Sequence, residues 1–276
     1  MGAAVTIEEG ADLERRFGGL RRLYGDVGYG RVRAARIAVV GLGGVGSWAV
    51  EALARSGVAE LVLIDMDHVA ESNVNRQVQA LTDTLGMGKG DALAQRIRGI
   101  HPACRVHVVD AFVEEGTWPA LLPAPVDVLI DACDQVRAKA VLTKWALLEH
   151  VPIVCAGAAG GKRDAAAVEV DDLARVTHDP LLASLRQRLR RDDARLRGAK
   201  TFGVRCVFSR EPVTMPTPSS SDACEVDTAS TTDGSLNCAG YGSSVMVTAS
   251  FGMAAAAECV RLLLLHAEAS RESRSL

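Results

Sequence analysis

Residues 36–67 read RIAVVGLGGVGSWAVEALARSGVAELVLIDMD. Arg36 to Val40 is a short apolar run, rich in β-branched residues, that stops at glycine, the pattern of a buried strand. Gly41, Gly43 and Gly46 give G-x-G-x-x-G, with Gly44 as a further glycine. Val45, Trp48, Ala49, Ala52 and Leu53 then follow at helical spacing. Gly57 stands where a helix C-terminal glycine is expected. Leu61 to Ile64 forms a second strand, and Asp65 follows 24 residues after Gly41. Glycines let backbone approach a phosphate, and a helix N-terminus offers free N–H groups and a positive dipole end. The acid after the second strand can accept from ribose hydroxyls. Strand, loop, helix and acid in this order predict an adenine nucleotide and leave NAD or ATP open.

Working outward, strand and helix go on alternating. After Asp65 and Asp67, MDHVAESNVNRQ has no period and places Asn73, Asn75 and Arg76 in a loop at a strand's carboxyl end, where open α/β sheets bind ligands. An arginine and two asparagines there suit polyphosphate and ribose, although asparagines also cap and turn. Lys89 lies just before a helix expected from about Asp91. A cation there is disfavoured by the helix dipole unless an anion faces it. Val106–Val109 is a third strand. Val126–Ile130 is a fourth, followed by Asp131, Ala132, Cys133 and Asp134. Carboxylates beyond a strand end beside a phosphate site suit Mg²⁺, with Asp134 as the expected ligand and Asp131 either a second ligand or a helix cap. A helix over 136–150 and a strand over Val151–Cys155 close the pattern. The expected fold is α/β, a Rossmann-like and mostly parallel sheet with helices on both faces.

From Lys162 the character changes. Ala165 to Val170 alternates weakly. Leu181 to Leu196 reads as a basic helix, with Arg186, Arg188, Arg190, Arg191, Arg195 and Arg197 inside 12 residues. Phosphate-backbone contact and a solvated face are both open for these arginines. Residues 213–237, rich in Pro, Ser, Thr and Asp, read as a long loop ahead of a final helix. Ala239–Leu265 carries Glu258 and Arg261, which argues for a buried amphipathic helix rather than a membrane span. The expected organisation is one domain over 1–276: an arm at 1–33, a nucleotide-binding core at 34–161 and a C-terminal extension at 162–276.

The chain has 276 residues, 48% hydrophobic and 24% charged, with net charge −3, so a sizeable core fits and global basicity does not point to nucleic acid. Seven cysteines occur without a C-x-x-C pair, which argues against structural zinc and for a reducing cytosol. Met1 to Arg16 holds four acids and no apolar core segment, so no signal peptide is expected.

The motifs GLGGVGS, LIDMD, SNVNRQ, GMGKG and the Asp131–Asp134 pair make residues 14–265 resemble the ubiquitin-activating-type adenylating superfamily. RFGGLRRLYG, GAAGGKRD, THDPLLASLRQRLRR, GVRCVFSREPV and NCAGYGSSVMVTASFG are most similar to its tRNA threonylcarbamoyladenosine dehydratase branch. The resemblance implies ATP and Mg²⁺ as cofactors, a carboxylate activated as an acyl-adenylate, and ring closure with net loss of water. It implies a tRNA substrate, a homodimer, a cytoplasmic setting and a possible sulfur-transfer partner. Gly41, Gly43, Gly44, Gly46, Asp65, Asp67, Asn73, Asn75, Arg76 and Lys89 would bind nucleotide, and Asp134 would hold the metal. One of Arg16, Arg21 and Arg22 would reach the partner's site; Arg22 is the expected one. Cys206 and Cys238 are expected to be structural or incidental. The alternative is activation of the Gly-Gly tail of a sulfur-carrier protein. A dehydrogenase would leave Arg76, Lys89 and Asp134 without roles.

Overall fold

The computed structural model describes residues 11–214 and 241–272. Five short runs become β1 (Arg36–Val40), β2 (Glu60–Ile64), β3 (Arg105–Val109), β4 (Val128–Asp131) and β5 (Ile153–Ala156). With β6 (Val168–Asp172) and β7 (Arg205–Ser209) they form a seven-stranded sheet in the order β3-β2-β1-β4-β5-β7-β6. Neighbours are parallel except β6 with β7. Strands β1, β2, β4 and β5 are apolar because helices cover both their faces, the usual condition of parallel sheets.

Those helices are α1 (Leu13–Phe17), α2 (Gly19–Ala34), α3 (Gly46–Arg55), α4 (Lys89–Ile100), α5 (Val136–Leu148), α6 (Pro180–Asp192) and α7 (Val245–Glu272). The period-2 alternation of the strands divides the core. Ile37 and Val39 pack in one layer with Leu53, Leu93 and Phe251, from α3, α4 and α7. Ala38 and Val40 pack in the other with Leu142 and Leu185, from α5 and α6. Val245–Leu265 is long and apolar enough to cross a membrane by length and composition, but half of its apolar window is buried inside the protein. Val247, Phe251, Ala255 and Cys259 carry that burial, as expected for a helix beneath the sheet. A Cβ on Gly252 would stand 2.5 Å from the Val45 carbonyl oxygen, so glycine permits the close crossing of α7 on the start of α3.

Several boundaries differ from expectation. The fourth strand runs to Asp131, which pairs with Val40 and Cys155, because the parallel neighbours extend that far. The second helix of the arm bends at Gly25, with φ of +69°. The basic helix stops at Asp192, and Asp193 caps a separate turn over Ala194–Leu196. The strand β7 was not expected; it inserts between β5 and β6 through distant pairing. Of the expected loop 213–237, only Val213 and Thr214 fall within the described residues, and Cys238 lies outside them.

Candidate functional site

The sheet order reverses between β1 and β4, and ligands of open α/β sheets bind at such a switch point, beyond the strands' carboxyl ends. Two adjoining cavities of about 300 Å³ each lie there and share Gly41, Asp65, Asp67, Cys133 and Asp134. Gly41 has φ of +85°, and a Cβ on Gly46 would stand 1.8 Å from the Gly41 carbonyl oxygen, so the turn into α3 needs glycine at both positions. By contrast, a Cβ on Gly43 would meet nothing within 4 Å beyond its chain neighbours among the described residues, and Gly43 lines the cavity.

The acid Asp65 accepts from the Leu42 N–H at 2.6 Å and from the Asp67 N–H at 2.8 Å, which fixes it between the glycine loop and the exit of β2. Lys89 is the first residue of α4 and is buried. Its Nζ stands 2.6 Å from Asp67 Oδ2, which supplies the anion that its position calls for. Arg76 lines the same cavity. Its carbonyl accepts from Trp48 Nε1 at 3.0 Å and Thr248 Oγ1 at 3.2 Å, so α3 and α7 both hold its backbone. Among the described residues its guanidinium meets neutral acceptors, the Ser72 carbonyl and Asn75 Oδ1. Asn73 also lines the cavity, while its Oδ1 accepts from the Ala70 N–H at 3.1 Å, so it caps a turn at the wall. Asn75 lines neither cavity; its Nδ2 donates to the Ser243 carbonyl at 2.8 Å and ties the loop to the approach to α7.

Asp134 is exposed and lines both cavities. Asp131, expected as a ligand or a helix cap, is neither. It is fully buried, 3.2 Å from Lys139 Nζ, and the N-cap of α5 is Gln135. Among the described residues no group of three or more His, Cys, Asp or Glu could hold a metal by itself. The exposed Asp134 carboxylate beside the glycine loop is the kind of donor that a hard cation takes together with phosphate oxygens.

Residues 18–275 match the ThiF family. The chain belongs to the ThiF family. This ThiF-family chain is 42% identical over 260 residues to the tRNA threonylcarbamoyladenosine dehydratase of Escherichia coli K12, covering 94% of this chain and 96% of that protein. It is 39% identical to the Haemophilus influenzae protein of the same name, over 92% of this chain and 95% of that one. The crystal structure of the E. coli dehydratase in complex with ATP superposes with a TM-score of 0.80 at 39% identity, covering 95% of this chain and 98% of that one.

The ThiF-family site has walls that sequence reading missed. Met66, Ala111, Phe112, Val113, Gln135 and Ala138 line one cavity. Gln77, Gly157, Ala158, Ala159, Leu181 and Thr248 line the other. The strand-end position of Gly157 was the one cue in the sequence; Thr248 joins only through the packing of α7. Cys133 lines both cavities. Burial, and the neighbouring Asp131 carboxylate, push the Cys133 thiol up. Cys206 is fully buried in the core and its thiol is likewise pushed up by burial.

The basic helix of this ThiF-family chain is tied both to neighbouring segments and to its own C-terminal turn. Arg186 donates to the Leu173 and Val176 carbonyls. Arg190 lies over the Phe202 ring at 5.5 Å. Arg195 pairs with Asp193 at 2.8 Å, and Arg197 donates to the Arg190 and Arg191 carbonyls. Arg188 and Arg191 both face Asp192, at 3.8 and 3.4 Å. Arg186 and Arg190 are thus used in holding the fold, whereas Arg191 and Arg195 keep exposed side chains, and both readings of the exposed face stay open.

Proposed function

We propose that the chain is an ATP-dependent tRNA threonylcarbamoyladenosine dehydratase. The observation that carries this reading is the convergence of the glycine loop, Asp65, Arg76, Lys89 and Asp134 on one cavity at the switch point. Likeness over nearly the full chain to a dehydratase solved with ATP supports it.

ATP would lie with its base in the cavity of Met66, Phe112 and Val113, its ribose at Asp65 and Asp67, and its phosphates along the glycine loop toward Arg76 and Lys89. Asn73, in the same turn as Arg76, would meet the phosphates beside it. The threonyl carboxylate of the modified adenosine attacks the α-phosphorus and pyrophosphate leaves. A nucleophile within the same modification then attacks the acyl-adenylate carbonyl, AMP departs with the former carboxylate oxygen, and a ring closes. The nucleoside loses one water in total, and ATP becomes AMP and pyrophosphate. The first step brings two anions together, so fixed positive charge is the main requirement. Arg76 supplies it, and among the described residues its guanidinium is held by neutral acceptors. Mg²⁺, held by Asp134 and phosphate oxygens, would add charge neutralisation at the leaving group.

A homodimer completes the reading. Arg16 is held by the Gly99 and Ile100 carbonyls, and Arg21 by Glu14 and Asp26. Arg22 is exposed and lines neither cavity, which suits a role in the partner's site. Exposed Val74 and Met246 flank the Asn75–Ser243 hydrogen bond beside the cavity and offer apolar surface to a second copy. The test is the mass of the modified nucleoside after tRNA is incubated with the protein, ATP and Mg²⁺. Loss of one water is expected; an unchanged nucleoside would overturn the reading.

A further inference from the structure

Lys139 is one of the largest fully buried side chains of the molecule, and none of the steps above uses it. Its ammonium makes three contacts: Asp131 Oδ1 at 3.2 Å, the Asp131 carbonyl at 3.3 Å and the Ala156 carbonyl at 2.7 Å. These satisfy the three donors of an ammonium. Asp131 Oδ1 in turn accepts from the Cys133 N–H at 3.1 Å, while its Oδ2 is buried with no protein partner.

Each contact leads to a wall of the nucleotide cavity. Asp131 and Ala156 are the last residues of β4 and β5. The turn Ala132–Asp134 leaves the first, and Gly157–Ala159 leaves the second; both line the cavity. The glycine loop rests on the same turn, since a Cβ on Gly41 would stand 2.8 Å from the Ala132 carbonyl carbon and 2.9 Å from the Cys133 nitrogen. One buried ammonium therefore joins the supports of three segments: the glycine loop, the turn carrying Asp134, and the wall after β5.

A buried ion pair is seldom the most stable filling for its space, because desolvation offsets the attraction and apolar side chains of like volume commonly do as well. We propose that Lys139 and Asp131 are a positioning pair, which sets the Asp134 turn and the Gly157–Ala159 wall at the separation that ATP requires. This rests on the reading of the cavity as the ATP site. The pair touches no substrate and acts through the backbone that it fixes.

The test is calorimetric titration of ATP in Mg²⁺ into the full chain and two double variants, with thermal unfolding of each. Asp131→Leu with Lys139→Met removes the hydrogen bonds and the charges together. It should unfold near the temperature of the unsubstituted protein yet lose roughly ten- to a hundredfold in ATP affinity, the scale of outer-shell changes at metal sites. Asp131→Asn with Lys139→Gln keeps polar atoms at the same places and should keep ATP affinity. An apolar pair that binds ATP as tightly as the unsubstituted chain would overturn the proposal, as would a polar pair that loses as much as the apolar one. If the apolar pair does not fold, Lys139→Met with Asp131→Asn, which leaves no buried charge, is titrated and judged by the same outcomes. An unsubstituted chain that binds no ATP would remove the reading of the cavity, and this proposal with it.

Discussion

Arg76 and Lys89 bring equal charge to the cavity in different company. Arg76 faces neutral acceptors, whereas Lys89 is paired with Asp67 at 2.6 Å. Arg76→Ala should therefore lower kcat for pyrophosphate release by roughly a hundredfold to a thousandfold, the effect of one lost donor to a developing charge. Lys89→Met should also lower it, because Asp67 is left to repel the phosphates, and Asp67→Asn in the same chain should recover part of that loss. Steady-state kinetics of the three proteins checks both statements; no recovery in the double variant would contradict the pairing. Much of this site was legible in the sequence, because Asp65, Lys89 and Asp134 stand at strand and helix ends whose positions follow from apolar periodicity. Asn75 read as a ligand for the same reason, and only the contact to Ser243, 168 residues away, shows its other use. Phe112 and Thr248 were not legible, since each reaches the site by tertiary packing rather than by motif.

Where elements meet, His101 gives a measurable handle. It ends α4, stacks on Phe17 of α1 at a centroid distance of 4.7 Å, and sits 2.8 Å from an Arg33 nitrogen of α2. The ring is 1% exposed, and burial first, then the Arg33 charge, push its pKa from 6.5 down to about 4. The folded chain thus keeps the ring neutral where the unfolded chain protonates it. Its contribution is fully present above pH 6.5, falls as pH drops toward 4, and levels off below that. The span is on the order of 3 kcal/mol. His101→Gln should flatten that part of the stability curve in urea unfolding between pH 7 and pH 4; an unchanged slope would contradict the assignment. The central strands were legible as apolar runs because both their faces are buried. The strand β7 was not, because the five residues Arg205–Ser209 become a strand only by pairing with β5 and β6. The basic helix was legible as a helix, but the partners of Arg186 and Arg190 were not, since they lie outside it.

At the scale of the molecule, the sheet order places every proposed nucleotide contact at one end of the strands. A cavity of about 480 Å³ beside Ala35, Val126 and Pro152 opens at the other end, where no glycine loop lies. The dimer proposal has its own consequence here. Arg22→Ala and Asp134→Asn should each be nearly inactive, whereas dimers formed by mixing them should regain activity, because one site then holds both intact residues. Mixed dimers without activity would place Arg22 outside the partner's site. The central claim is tested most directly by pyrophosphate release from ATP and Mg²⁺ with tRNA carrying threonylcarbamoyladenosine and with the same tRNA lacking it, the nucleoside mass being followed in parallel. The account predicts release only with the modified tRNA, matched by loss of one water from that nucleoside. Release with neither tRNA, or with both alike and no change in mass, would contradict it.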